Sequence, residues 1–434
     1  MLDKDNIFFK KKILIYGLGK SGISAYRFLK KNNKIYLYDD NKIKNQNLEI
    51  KKKLIQYQDI IHEKIDCIII SPGIDIKKCK LKNFLKKNLG KIHTDLDIFY
   101  YYNKKNKNIT ITGTNGKSTT VKIIYEVLKC QKIDARLVGN IGNPILSEKK
   151  ITPKTVFVIE ASSYQLEYSK IFKSHLAAIL NISPDHLERH GSIRNYIKAK
   201  FKLIKTQTKK DFTFLNTNNL FIKRYLSGQR ILSKIIKINK TVQSKVLKKI
   251  DNSNFLSDGN KENLSFVFEI AKKMRISKNN LFKVLQKFNG LDFRQQVIFK
   301  SKNLIIINDS KATSFSSTVS ILRSITNVYW IVGGQAKKGD KFLLNKSECK
   351  NMEAYIFGKN KKFFINKLKK KINYQLFDDL KSSIKKILID VKKNNKKQHI
   401  ILFSPAAASF DSFKNFEDRG NYFNHLIKGM LDAE

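Results

Sequence analysis

Short apolar runs that end in polar or glycine-rich tips recur along the chain. Ile13–Tyr16, Ile35–Tyr38, Cys67–Ile70, Ile109–Thr112, Val156–Glu160, Ala177–Ile182, Leu304–Ile307, Val328–Val332, Tyr355–Phe357 and Ile400–Phe403 are such runs. They are too short for helices and rich in β-branched and aromatic residues, as strands buried on both faces are. Amphipathic stretches lie between them: one runs to Leu29, and another sets Val121, Ile124, Tyr125 and Leu128 on one face. Alternating strands and helices predict α/β sheets with parallel strands. The 434 residues exceed what one hydrophobic core usually holds. Glycine-rich tips near 17, 113 and 333 predict three sheets on one plan, with domains at 1–95, 96–293 and 294–434. The first and last read as Rossmann-like, the middle one as a P-loop α/β domain. Residues 210–257 are Lys- and Asn-rich and predict no clear element; helical periodicity resumes over Asn263–Met274, and Asn289-Gly290 marks a turn.

The tips carry the chemistry. After Ile109–Thr112 comes Gly113-Thr114-Asn115-Gly116-Lys117-Ser118-Thr119 and then a helix. Such a turn aims backbone N–H groups and the positive end of a helix dipole at a phosphate; Lys117 adds a cation, and Ser118 or Thr119 offers a hydroxyl to Mg²⁺. Ile111 stands where the usual P-loop pattern has its first glycine. Glu160, at the end of an apolar run, is where a Mg²⁺-binding carboxylate is expected. Ala177–Ile182 delivers Ser183-Pro184-Asp185-His186. Upstream, Gly17-Leu18-Gly19-Lys20-Ser21-Gly22 follows a strand, and Asp39 ends the next, which is a dinucleotide-fold signature. That signature is weak evidence of NAD, since the same crevice holds any nucleotide diphosphate.

Composition changes this picture little. The net charge is +50 and invites a nucleic-acid reading, but only 10 of the 86 basic residues are Arg, and the Lys are scattered. A phosphate-clamping or base-reading surface favours Arg's bidentate fork. The charge can concentrate anionic small substrates, an effect that salt screens. Cys67, Cys79, Cys130 and Cys349 lack metal-ligand spacing and fit a reducing compartment. The N-terminus lacks the apolar region of a signal peptide, and no apolar run reaches the ~18 residues of a membrane span, so a cytoplasmic protein is expected.

Taken together, these blocks resemble the Mur ligases, ATP-dependent amide-forming enzymes of peptidoglycan precursor synthesis. The likeness runs from Gly17 to Phe423 through Gly17–Gly22, Ser71-Pro72-Gly73, Glu160–Glu167, Pro184–Lys200, Asn308–Thr313, Gly333–Asp340 and Ser404–Tyr422. The P-loop variant, Ile111 included, looks like theirs. Within the family the branch joining D-glutamate to UDP-N-acetylmuramoyl-L-alanine is most alike. The resemblance implies ATP and Mg²⁺, an acyl-phosphate intermediate, a monomer acting on these small molecules, and no nucleic-acid or membrane partner.

The resemblance also implies roles for particular residues. Gly113, Thr114, Asn115, Gly116, Lys117, Ser118 and Thr119 would hold the ATP phosphates, with Asn260, Asn263, Arg294 and Asp309 on adenine and ribose. Ser118 or Thr119 and Glu160 would bind one Mg²⁺; His186 and Lys200 would hold a second. In this family the lysine matching Lys200 is carbamylated, which turns a cation into an anionic oxygen ligand; the plain alternative is a helix-surface lysine like Lys198. Gly17, Gly19, Ser21, Gly22, Asp39, Ser71, Pro72 and Gly73 would form a uridine diphosphate site, and Asn140 and Ser162 would touch the muramoyl-alanyl part. D-Glutamate would be held by Thr313, Lys337 or its neighbour Lys338, Ser409 and the backbone near Phe416, with Lys311 close by. Two departures stand out. Gly259 replaces a His that relatives often carry before the Asn, and Asp292-Phe293-Arg294-Gln295-Gln296 lacks the family's acidic residue after the arginine. The rivals are another Mur ligase or a folylpolyglutamate synthase with the same ATPase module, an NAD-dependent dehydrogenase, which leaves Lys117, Glu160 and His186 without a task, and a nucleic-acid-binding protein resting on charge alone.

Overall fold

Three sheets follow one another along the chain. β1 (Lys12–Tyr16), β2 (Lys34–Tyr38), β3 (Cys67–Ile70) and β4 (Ile92–His93) form the first, in the order β2-β1-β3-β4. β5 (Asn108–Thr112), β6 (Ala135–Gly139), β7 (Val156–Glu160), β8 (Leu176–Ile179), β9 (Phe212–Asn216) and β10 (Lys234–Ile238) form the second, in the order β10-β9-β8-β5-β7-β6. β11 (Gln296–Lys300), β12 (Leu304–Asn308), β13 (Val328–Gly333), β14 (Met352–Phe357), β15 (Asn373–Leu376) and β16 (His399–Phe403) form the third, in the order β11-β12-β16-β13-β14-β15. Every pairing is parallel except β11 with β12, an antiparallel edge. The structure, a computed structural model, describes residues 7–41, 48–239, 242, 244–255, 257–337, 339–393 and 398–432.

The chain forms two compact units, Met1–Asn239 with Phe266–Ser277, and Lys240–Ser265 with Lys278–Glu434. The first two sheets belong to the first unit and the third sheet to the second. The helix Asp258–Lys273 contains a crossing point between the units, so the chain passes between them within one element. The third sheet is covered on both faces: one apolar cluster gathers around Trp330, Phe315 and Phe364, another around Tyr355, Phe403 and Phe423. That is the doubly wound arrangement expected of it, with an antiparallel edge strand added.

In the first unit, one apolar cluster runs through residues of both sheets, with Phe99 edge-on to Phe157 at 4.7 Å between ring centres. Asp97 fixes this junction. It closes a capping box with Thr94 at the start of the helix Asp95–Tyr102. Its other oxygen accepts from Ser169 Oγ at 2.8 Å and from the backbone N–H groups of Lys170, Ile171 and Phe172 at 2.9–3.0 Å. The carboxylate is fully buried. Asp97→Ala removes the acceptor of four backbone N–H groups, those of Thr94, Lys170, Ile171 and Phe172, and is expected to destabilise the first unit by at least about 3 kcal/mol in urea unfolding.

Candidate active site

β5 lies between β7 and β8, and the loop after it opens at the carboxyl edge of the second sheet, where parallel sheets bind ligands. Ile111 is still a strand residue there: it is fully buried and in register with Glu160 on one side and Ala178 on the other. The turn therefore begins only at Gly113. Gly116 takes φ +84° and caps the helix Lys117–Cys130, a left-handed conformation that glycine adopts without strain. The loop is braced by Asn181, whose carbonyl accepts from Thr114 N at 2.9 Å and whose side chain accepts from Asn115 N at 2.9 Å. Lys117 Nζ lies on the loop itself, donating to Gly113 O and Thr114 O at 2.9 and 2.8 Å.

Beside the loop, Glu160 is 1 % exposed and takes one donor on each oxygen: Ser118 Oγ at 2.6 Å and Asn140 Nδ2 at 2.7 Å. A P-loop hydroxyl, a strand-end carboxylate and a residue of the Asn140–Pro144 loop are thus joined in one chain of hydrogen bonds. The sequence-predicted pair Ser118 and Glu160 is adjacent in space, and its hydroxyl and carboxylate are the hard oxygen donors that Mg²⁺ prefers. Ser162 caps the short helix Ser163–Glu167 two residues further on.

Lys200 is not a surface lysine. It lies on the buried face of the helix Ile193–Lys205 and is 1 % exposed; Nζ donates to Gly113 O at 2.7 Å and sits 4.6 Å from the centre of the Tyr196 ring. Burial first, and then the neighbouring Lys117 charge, hold its ammonium well below the usual lysine range. Burial thus disfavours the ammonium relative to the free amine, which is the nucleophilic form. His186 takes φ +53°, with Nδ1 2.8 Å from Tyr164 Oη and Nε2 3.4 Å from Asp185. Among the described residues no three His, Cys, Asp or Glu side chains cluster as a ready-made metal site. The donor set fits one Mg²⁺ at Ser118 and Glu160. A second ion fits only if the Lys200 amine becomes an anionic oxygen ligand, since an ammonium repels the ion.

At the carboxyl edge of the first sheet, the tips of β1 and β3 meet. Ser71 Oγ donates to Gly17 O at 2.6 Å, and Leu18 N donates to Asp39 Oδ2 at 2.7 Å, so Asp39 braces the glycine turn. A Cβ at Gly22 would lie 1.9 Å from Gly17 O, whereas one at Gly19 would meet nothing within 4 Å. Gly22 thus permits close helix–strand packing, while Gly19 leaves open space at the turn. Ser21, Pro72 and Gly73 stand on the same two tips.

In the second unit, Asp309 directly follows β12 and is buried; its oxygens accept from Gln295 N at 3.1 Å and Ser404 Oγ at 2.8 Å. Burial pushes its carboxyl up to about 7. Arg294 lies between Phe293 and Gln295, both at positive φ, which marks a strained turn. Gln296, standing in the family's acidic place, caps that turn by accepting from Phe293 N at 3.1 Å. Asn260 and Asn263 are hydrogen-bonded to each other at 3.1 Å. Gly259 N donates to Ser320 Oγ at 3.0 Å, and a Cβ there would come within 2.6 Å of that oxygen, so Ser320 takes the space a larger side chain would need. Lys311, Thr313 and Ser409 stand on the tips of β12 and β16, and Lys311 Nζ lies 3.6 Å over the Phe416 ring. Lys337 follows β13; Lys338 lies outside the described residues.

Asn181, Tyr196, Tyr164 and Ser404 were not singled out by the sequence. Tyr196 had a signal, its i, i+4 spacing to Lys200 on one helix face. Asn181 had none, because it sits inside an apolar run that reads as strand.

The family model of the Mur ligase middle domain matches residues 111–278, and that of the MurD-like N-terminal domain of Mur ligases matches residues 11–92. The chain is similar to the UDP-N-acetylmuramoylalanine--D-glutamate ligase of Rickettsia bellii, with 32% identity over 97% of this chain and 98% of that one. It is 36% identical to the enzyme of the same name from Francisella tularensis subsp. novicida, over 83% and 85% of the two chains. Among solved structures, the UDP-N-acetylmuramate-alanine ligase MurC of Thermotoga maritima shares the fold at a TM-score of 0.56 and 15% identity, over 98% of this chain and all of that one. The MurF ligase of Thermotoga maritima, solved in complex with ADP, does so at 0.55 and 13%, over 99% of each chain. Phosphate loop, strand-end carboxylate, buried lysine and near full-length relatives converge on one conclusion: the chain belongs to the Mur ligase family.

Proposed function

We propose that this chain is an ADP-forming ligase that joins D-glutamate to UDP-N-acetylmuramoyl-L-alanine in the cytoplasmic synthesis of peptidoglycan precursors. The observation that carries the reading is the hydrogen-bonded series Ser118–Glu160–Asn140, which links the phosphate loop to a loop suited to the acceptor of the phosphate. The relatives named for this activity cover nearly the whole chain, which supports the choice of substrates. In this reading, domains at 1–95, 96–293 and 294–434 bind the uridine nucleotide, ATP and D-glutamate in turn.

A carboxylate is a poor acyl donor, so the L-alanyl carboxylate first takes the γ-phosphoryl group of ATP, releasing ADP. The D-glutamate amine then attacks the acyl carbon, loses a proton, and phosphate leaves. Transfer of this kind needs positioning and charge neutralisation more than covalent help. Lys117 and the loop amides hold the phosphates, and Asn140 and Ser162 orient the muramoyl-alanyl part. Ser118 and Glu160 would hold one Mg²⁺, and His186 with carbamylated Lys200 a second; when bound, such ions neutralise phosphate charge. The low titration of Lys200 supports its carbamylation, since only a neutral amine attacks carbon dioxide. Asn260, Asn263, Arg294 and Asp309 are the adenine and ribose residues of this reading. Thr313, Lys337, Ser409 and the backbone at Phe416 hold D-glutamate, with Lys311 beside them.

Phosphate release is expected to require UDP-N-acetylmuramoyl-L-alanine and D-glutamate together; equal turnover with L-lysine or diaminopimelate contradicts the assignment. Lys117→Ala is expected to lose at least ~10²-fold in turnover, the scale for one preorganised charge-stabilising donor. Lys200→Ala is expected to be inactive and partly restored by short carboxylates added to the assay; no restoration by any of them counts against the carbamate.

A further inference from the structure

The side chain of Arg419, in the helix Phe416–Leu431, is 1 % exposed and reaches beneath the strand-end loops of the second unit. Its Nε–H donates to Ser310 Oγ at 3.1 Å, and Nη2 donates to both Ser310 O at 2.7 Å and Ala407 O at 3.0 Å. Ser310 Oγ in turn donates to Phe416 O at 2.9 Å. One guanidinium therefore ties the loop after β12 to the loop after β16, and both to the start of its own helix. A third loop is close: a Cβ at Gly334, after β13, would lie 3.1 Å from Nη1, and Gln335 pairs with Ala408 backbone to backbone. Nη1 itself is buried with no hydrogen-bond partner among the described residues, as is Asp411 Oδ2. Burial pulls Arg419 down to about 10 while Asp411 and Asp309 oppose the shift, so the group is charged at neutral pH.

We propose that Arg419 is the positioning residue of the amine-acceptor pocket, setting the spacing between the Ser310 loop, which carries Lys311 and Thr313, and the Ala407 loop, which carries Ser409. The proposal rests on the reading of those side chains as the D-glutamate site. Nη2 holds the two carbonyls while Nε, fixed in the same plane, holds Ser310 Oγ; a lysine has one nitrogen at the end of a flexible stem and cannot make the Nε contact at the same time. The unmade bond at Nη1 argues the same way: the guanidinium is oriented by the loops it joins, and one of its donors is left over. Arg419 acts through backbone and Ser310, so its loss displaces the pocket without removing a group that touches substrate.

The test uses the full chain and steady-state phosphate release with each of the three substrates varied in turn. Arg419→Ala is expected to lose about 10²-fold in kcat/KM for D-glutamate, the scale of an ångström-sized misplacement, with KM for ATP and for the uridine nucleotide near wild type. Guanidinium ion, added well below denaturing concentrations, is expected to restore much of the loss, while Arg419→Lys stays defective. Ser310→Ala, which keeps the backbone carbonyl, is expected to shift the D-glutamate KM in the same direction by less, and reports on the network should Arg419→Ala fail to fold. Equal losses for all three substrates, no guanidinium rescue, or wild-type kinetics for Arg419→Lys overturn the proposal. A wild-type chain that turns over without D-glutamate overturns the functional reading instead, and the positioning role with it.

Discussion

A buried carboxylate with one donor on each oxygen organises the catalytic half of this protein. Glu160 ends β7, in register with Ile111 on β5, so its height relative to the phosphate loop is set by sheet pairing rather than by a flexible side chain. Ser118 reaches it from the first turn of the helix Lys117–Cys130, and Asn140 from the loop after β6. Three chain segments far apart in sequence are thereby held to one point. Moving β7 by a single residue would turn Glu160 to the opposite face and leave Ser118 without its partner.

Around that point the electrostatics are unbalanced. Lys117 and Lys200 both donate to Gly113 O, so two lysine side chains converge on one carbonyl. Burial resolves the conflict by disfavouring the charge on Lys200, the more enclosed of the two. An amine whose charge is disfavoured adds little to anion binding next to a phosphate loop; the proposed carbamate would instead give it an anionic oxygen. Asn181 and Tyr196 brace the same loop through hydrogen bonds to Asn115 N and Thr114 Oγ1.

The strands that sequence patterning predicts are mostly the central ones, β1, β3, β5, β7, β8, β12, β13, β14 and β16, which read as largely apolar runs; β2 is the one predicted strand at a sheet edge. The strands it passes over are mostly sheet edges. β4, β6, β10, β11 and β15 each close a sheet, and edges carry polar and lysine residues that blunt further pairing while erasing the apolar signal. β10, with the sequence Lys-Ile-Ile-Lys-Ile, is half exposed for this reason. The candidate site was legible at Glu160, which stands at the end of a central apolar strand, while Asp309 and Ser409 were named through the family resemblance. It was illegible where function depends on who lies behind whom. Nothing in the sequence says that Lys200 and Lys117 share Gly113 O, that Ser320 occupies the space in front of Gly259, or that Arg419 joins the Ser310 and Ala407 loops.

The central claim is that this geometry transfers phosphate to a substrate carboxylate before the amide forms. Its most direct test is isotopic: UDP-N-acetylmuramoyl-L-alanine labelled with ¹⁸O in its carboxylate, turned over with ATP and D-glutamate, followed by mass analysis of the inorganic phosphate. An acyl phosphate leaves one labelled carboxylate oxygen in the phosphate released with each amide formed. Phosphate that carries no label, alongside normal amide product, contradicts the account.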